Sequence, residues 1–387
     1  MFHVPCFMKI LFTGGGSGGH LLPIIAIARE LKRLSDDKDI KLYYVGPKDP
    51  MASLLLAQEN FKIQNIVTGK IRGYFSFQNI IDVLFKLPVS ILQSFWLLVI
   101  DRPNLVFSKG GTGSVSVVFC AALLGIPIFA HESDMVPGSS NRLAWRWAAK
   151  KIFISFPKTE YFGSAESASG LRPKIMLVGN PILKELLEGD KNLAREIFNL
   201  TAQKPVLLFW GGSQGSQALN DFVLLILPKL LDRYQVIHVC GDKNYSNVLA
   251  ESSEILNAFA SLAKDYHLFE FLREVELKHA LTVADFVISR SGSGSIFEIA
   301  ALGKPSILVP LPSSAHNHQS KNAYEYARNG AALVIEQDNL NASFFLEKLQ
   351  YLFSSPKELE VMKEAALAFA KPLAAKAIAR EILEYLA

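Results

Sequence analysis

Cysteine is scarce in this chain, and so is any large excess of one charge. Among 387 residues only Cys6, Cys120 and Cys240 are cysteines, far apart and without C-x-x-C spacing. That pattern excludes a disulfide scaffold and leaves reduced thiols in apolar runs as the expectation. A net charge of +4 lacks the basic stripe of a dedicated nucleic-acid binder, so no nucleic-acid partner is expected. The P-loop pattern G-x-x-x-x-G-K-[S/T] is missing, which disfavours a P-loop ATPase. His131-Glu132 has no second histidine four residues on, and His316 and His318 lack cysteines or carboxylates beside them, so neither a metal site nor a cofactor is expected. Asp37-Lys38-Asp39 has D-x-D spacing but lies in a charged turn and reads as a solvated loop. Residues 1–8 lack a basic region and a cleavage site, which reads as no signal peptide. Residues 110–130 carry no charge over a membrane's length, but Gly125-Ile126-Pro127 breaks them. They read as a buried helix and a strand rather than a span.

What is present is globular: half the residues are hydrophobic and 20% are charged, and a chain this long predicts two domains. The chemistry centres on Ser289-Arg290-Ser291-Gly292-Ser293-Gly294-Ser295-Ile296-Phe297-Glu298. An apolar strand precedes this stretch, and Ile296, Ile299, Ala300 and Leu302 follow at helical spacing. Backbone N–H groups at such a strand-to-helix turn have no partner and favour anions, as in doubly wound folds that hold phosphate. Glu298 has two readings: with Ser295 it has the S-x-x-E spacing of a capping box, or its carboxylate takes the two hydroxyls of a ribose.

Residues 9–13 form a predicted strand, followed by Gly14-Gly15-Gly16-Ser17-Gly18-Gly19-His20 and a helix over 22–34. No acidic residue closes the next strand, which argues against NAD. His20 either fills the helix mouth or faces a substrate. Residues 75–100 are apolar around Trp96 and divided by Pro88. They predict either an amphipathic helix on a sheet or a membrane-surface patch, with Arg142, Arg146, Lys150 and Lys151 beside Trp145 and Trp147 as its basic rim.

A repeat organises the whole. A strand over 105–108, then Lys109-Gly110-Gly111-Thr112-Gly113-Ser114, an apolar helix, Leu124-Gly125-Ile126-Pro127 and a strand return about 180 residues later as the 289–309 unit. Likewise 11–20 returns as Phe209-Trp210-Gly211-Gly212-Ser213-Gln214-Gly215. The prediction is an α/β chain of two Rossmann-like, doubly wound parallel-sheet domains. Residues 1–182 form the first and 183–371 the second, with a helix over 372–387 crossing back to the first. A ligand is expected in the cleft facing the carboxyl ends of both sheets.

Taken together these motifs resemble the MurG-type family of glycosyltransferases (family 28, GT-B architecture). The resemblance rests on Gly15-Gly16-Ser17-Gly18-Gly19-His20, Ile71-Arg72-Gly73, Gly110-Gly111, and His131-Glu132 with Gly138 and Asn141. It continues through Gly179-Asn180-Pro181, Gly211-Gly212-Ser213-Gln214-Gly215, Arg290 through Glu298, and His318-Gln319 with Asn322-Ala323. It implies transfer of N-acetylglucosamine from UDP-N-acetylglucosamine, a co-substrate, to the muramyl sugar of a polyprenyl-diphosphate acceptor for peptidoglycan. The enzyme would be peripheral on the cytoplasmic face of the cell membrane. It further implies donor contacts from Ser17, Gly18, Gly19, Asp134, Ser213, Gln214, Leu272, Ser293, Gly294, Ser295, Ile296, Phe297, Glu298, His318 and Gln319. Acceptor diphosphate contacts would come from Gly15, Gly16, Arg72, Gly110, Gly111 and Asn141, and His20 or Asp134 would be the general base. The chain departs from the family pattern at Ser133-Asp134, where the family has Gln-Asn, at Leu183 and at Thr112. A UDP-N-acetylglucosamine 2-epimerase, another GT-B glycosyltransferase and a non-catalytic sugar-nucleotide-binding scaffold are the alternative readings.

Overall fold

A computed structural model describes residues 8–15, 18–35, 40–69, 82–138, 141–142, 145, 148–157, 159, 174–212 and 215–387. The chain divides into two compact units, Met1–Leu183 with Leu373–Ala387, and Lys184–Pro372. Each is built on one parallel sheet flanked by helices.

In the first unit the strands are β1 (Met8–Thr13), β2 (Ile40–Gly46), β3 (Lys62–Asn65), β4 (Leu105–Ser108), β5 (Ile128–Glu132), β6 (Lys151–Ile154) and β7 (Lys174–Leu177). They run parallel in the order β3-β2-β1-β4-β5-β6-β7. Strands β1, β4 and β5 read as near-continuous apolar runs because helices cover both faces, and Ile10, Leu11, Phe12, Val106, Phe107 and Phe129 are buried. The chain order reverses at β1/β4, and such a switch point leaves a crevice at the strands' carboxyl ends.

The second unit repeats the plan with β8 (Val206–Trp210), β9 (Gln235–Val239), β10 (Tyr266–Phe269), β11 (Phe286–Ser289), β12 (Ser306–Leu308) and β13 (Ala332–Val334). Their order is β10-β9-β8-β11-β12-β13, so the reversal falls at β8/β11. The repeat seen in the sequence therefore maps onto structure: its glycine-rich segments follow the two strands that flank each switch point. Two doubly wound parallel sheets are the architecture expected from the sequence.

Three local expectations change. The first helix is Gly18–Leu34, so it starts earlier than the apolar spacing indicates and takes Gly18, Gly19 and His20 into its first turn. Pro88 does not divide a helix but starts one, in the first turn of Leu87–Asp101, where its missing N–H is not needed. Trp145 is no rim residue: it is buried, and its Nε1 donates to Ser108 Oγ at 3.2 Å. The final helix, Ala374–Leu386, belongs to the first unit, where Glu381 pairs with Lys151 and Tyr385 packs edge-on against Phe129. Cys120 and Cys240 are buried free thiols.

The helix Leu87–Asp101 is inverted for a water-facing element. It buries Ser90, Ser94, Leu98 and Asp101 and exposes Val89, Leu92, Trp96 and Ile100, with Leu84 and Phe85 just before it. Ser90 Oγ and Ser94 Oγ both meet Ser116 Oγ, at 2.7 and 3.0 Å, on the neighbouring helix Val115–Leu123, which exposes Phe119 and Leu123. Small hydrogen-bonding residues inside and large apolar ones outside is how helices pack in lipid, the reverse of the usual amphipathic pattern. Leu84–Asp101 is also long and apolar enough to cross a membrane by length and composition.

Candidate functional site

In the first unit, two loops meet where β1 and β4 end. Gly111 has φ +86°, and a Cβ there would stand 3.0 Å from Gly15 N, so the close approach of the two loops depends on Gly111 having no side chain. Gly110, at φ +84°, would place a Cβ 2.3 Å from Asn141 Nδ2. Asn141 braces the loop from a separate segment: its Oδ1 accepts from Gly111 N at 3.2 Å, and its Nδ2 points to Glu132 Oε2 at 3.5 Å.

His20 lies against the same loop, with Nδ1 3.3 Å from the Lys109 carbonyl. A carbonyl only accepts, so Nδ1 carries the proton and the basic lone pair falls on Nε2. A Cβ at Gly15 would stand 3.3 Å from that Nε2 and one at Gly111 3.6 Å, so both glycines clear its flank.

Beneath lies a charged cluster that reading the sequence missed. Lys109 is 1% exposed, and its Nζ donates to Ser133 Oγ, which in turn donates to Asn180 Oδ1 at 3.0 Å. Glu132 is also buried; its Oε1 accepts from Asp134 N at 3.1 Å. Burial pushes Lys109 below the usual ammonium range, while burial and then Asp134 raise Glu132. The three groups are close enough to shift one another, so Asp134 stands in a shared field rather than alone. His131 is a different matter: burial holds it well below the usual imidazole range, and Nε2 contacts the Gly179 carbonyl at 3.0 Å. It is a neutral strut between β5 and the loop after β7. The signal for Lys109 was its place directly after an apolar strand and before a glycine pair.

In the second unit the helix Ser293–Ala301 starts at the end of β11, with Gly292 as its N-cap and no side-chain cap. No side chain closes this first turn, and the start of such a helix favours an anion, while Ile296 and Phe297 turn their side chains into the core. This start excludes the capping box. Ser295 and Glu298 are the third and sixth helical residues, too deep to close the helix end. Glu298 is 7% exposed and has no hydrogen-bond or ion-pair partner among the described residues. Burial alone raises it from 4.5 to about 8.

Around this turn, Ser291 Oγ donates to the Gln319 carbonyl at 2.9 Å, and Leu311 N donates to Gln319 Oε1 at 3.0 Å. The second bond sets the amide's orientation and aims its NH₂ end as a donor elsewhere. His318 begins the helix His318–Ala327, after the consecutive left-handed residues His316 and Asn317. Leu272 lies in the loop after β10 with its side chain buried, so main chain is what it offers a ligand. Gly18 and Gly19 share the first turn of their helix with His20. Gly16, Ser17, Arg72, Ser213 and Gln214 lie outside the described residues, as do Arg146 and Trp147. Among the described residues no group of three or more His, Cys, Asp or Glu could hold a metal ion.

Two parallel sheets, each with glycine loops at its switch point, define the class: a protein of two Rossmann-like domains. Residues 10–154 match the N-terminal domain of glycosyltransferase family 28 and residues 206–378 its C-terminal domain. The UDP-N-acetylglucosamine--N-acetylmuramyl-(pentapeptide) pyrophosphoryl-undecaprenol N-acetylglucosamine transferase of Clostridium tetani is 36% identical over 360 residues, 92% of this chain and 94% of that protein. The chain belongs to glycosyltransferase family 28, in its MurG-type branch. The crystal structure of Acinetobacter baumannii MurG superposes with a TM-score of 0.71 at 23% identity, covering 97% of this chain and 99% of that one. The UDP-GlcNAc 2-epimerase of Neisseria meningitidis, bound to UDP-GlcNAc, gives 0.70 at 16% identity, over 97% and 100%. The fold is thus common to transferase and epimerase, and the sequence relationship separates them.

Proposed function

We propose that this enzyme transfers N-acetylglucosamine from UDP-N-acetylglucosamine to the muramyl sugar of undecaprenyl-diphosphate lipid I, giving lipid II for peptidoglycan, by a single inverting displacement without a metal ion. The observation that carries the donor half is Glu298, a buried carboxylate without a partner on the helix whose uncapped start offers amides to a diphosphate. The acceptor half rests on the similarity to the Clostridium tetani transferase. The ribose hydroxyls donate to Glu298, and the diphosphate takes the first-turn amides of Ser293 to Ser295 and the loop of Ser213 and Gln214. Leu272 offers main chain to the uracil, and Gln319, with His318, donates to the sugar.

The acceptor diphosphate meets the Gly15-Gly16 and Gly110-Gly111 amides, with Arg72. The acceptor hydroxyl oxygen then bonds to the anomeric carbon as the bond to UDP breaks. The hydroxyl proton passes to His20 Nε2, with Asp134 as the second candidate, and amides stabilise the departing UDP. The exposed apolar face of Leu87–Asp101 and Val115–Leu123 rests on the cytoplasmic face of the membrane, where a polyprenyl acceptor is found. The test is transfer of radiolabel from UDP-GlcNAc to a lipid I analogue, with chelator present. UDP release that needs no lipid acceptor would favour the epimerase reading, UDP binding without transfer a scaffold, and loss of activity with chelator a metal-dependent reaction.

A further inference from the structure

Arg290 follows the last residue of β11 and is 7% exposed, yet it has no carboxylate partner among the described residues. Its Nε donates to Ser216 Oγ at 2.9 Å, Nη1 to the Val309 and Pro310 carbonyls at 3.0 Å each, and Nη2 to Gln337 Oε1 at 2.6 Å. Every acceptor is neutral. Burial is the sole cause that lowers its affinity for the proton, and no neighbouring charge offsets it. A guanidinium stays ionised through such a shift, so a full positive charge is enclosed with its hydrogen bonds made and its charge unbalanced. Enclosing a charge without a counter-ion is unfavourable unless something anionic arrives.

The partners indicate where. Ser216 is the N-cap of the helix Gln217–Leu231, its Oγ accepting from Leu219 N at 3.3 Å, and it directly follows the glycine loop after β8. Arg290 itself precedes the Ser291–Ser295 turn. The charge therefore lies between the two loops that flank the β8/β11 switch point.

We propose that Arg290 is a positioning residue whose buried charge is balanced by the diphosphate of the bound nucleotide. It acts through the two loops it ties together and through its field, without touching the ligand. The proposal rests on the donor reading above. It predicts that the chain distinguishes UDP from uridine largely through this charge, whereas a merely structural arginine would affect both ligands alike.

The experiment measures UDP and uridine affinity by calorimetry in wild type, Arg290→Met, Arg290→Lys and Gln337→Glu. Arg290→Met removes the charge, and the UDP-to-uridine affinity ratio should fall about tenfold or more. Arg290→Lys keeps the charge and should retain most of the ratio. Gln337→Glu keeps the fold, since it preserves the acceptor to Nη2, but supplies an internal counter-ion, so the ratio should fall there too. That variant decides the matter if Arg290→Met fails to fold. A ratio unchanged in Gln337→Glu, or both ligands weakened equally in Arg290→Met, overturns the proposal. Wild type that binds neither ligand would instead refute the donor reading.

Discussion

Replacing Glu298 by glutamine should make the protein more stable and a poorer binder of donor. Burial raises this carboxyl from 4.5 to about 8, so at pH 7 it is ionised in the unfolded chain and largely protonated in the folded one. Folding then takes up a proton, and stability is greatest below about pH 4.5, falls as pH rises, and levels off above about pH 8. At 1.4 kcal/mol per pH unit, the span from 4.5 to pH 7 withholds about 3 kcal/mol from folding. Glutamine has the same shape and no proton to take up. Glu298→Gln should therefore melt higher at pH 7, by up to roughly 6–12 °C for a unit of this size, and the two proteins should converge in acid. Binding should move the other way. Two hydroxyls donating to one carboxylate favour its charged form, so the donor should bind with release of a proton. UDP-GlcNAc suits the measurement because its diesterified phosphates do not titrate near neutrality. Wild-type affinity should rise by up to about tenfold per pH unit between 6 and 8, while that of Glu298→Gln stays flat and is weaker at pH 8 by roughly 5- to 150-fold. A wild-type affinity independent of pH over that window, or a variant that melts lower, would refute the reasoning.

His20→Ala should lower turnover far more than donor affinity, since the imidazole lies against the Gly15 and Gly110-Gly111 loops proposed to hold the acceptor, whereas the turn proposed to hold the nucleotide belongs to the other unit; equal turnover in a steady-state assay removes it from the mechanism. Gly110→Ala combines a left-handed backbone with a Cβ 2.3 Å from Asn141 Nδ2, so about 1–3 kcal/mol of stability should be lost to backbone strain alone. Its KM for acceptor should rise while donor affinity holds, and an unchanged melting curve would count against the loop geometry. Leu92→Glu with Trp96→Glu changes two exposed side chains, so melting should stay put while flotation with anionic liposomes at low salt falls sharply. Retained flotation would place the membrane contact elsewhere.

The amino-acid order by itself determined the two parallel-sheet domains and the positions of their loops. A strand buried on both faces is apolar throughout, and a turn that needs bare amides is rich in glycine; both are local requirements written twice along this chain. The family resemblance rested on the same loops. Tertiary structure alone decided how the polar groups are employed. Ser295 and Glu298 have capping-box spacing, and only the helix start at Ser293 shows that the box never forms. Asn141 reaches across 30 residues to hold the amide of Gly111, and Trp145 left the surface for the core. Lys109 and Arg290 looked like ordinary basic residues beside glycines, and their significance came from burial, Lys109 within the field of Glu132 and Asp134 and Arg290 among neutral acceptors. Burial and partner choice depend on residues distant in the chain, so no local pattern encodes them. A serine face turned inward and a tryptophan turned outward are likewise settled by the neighbouring helix that Leu87–Asp101 meets.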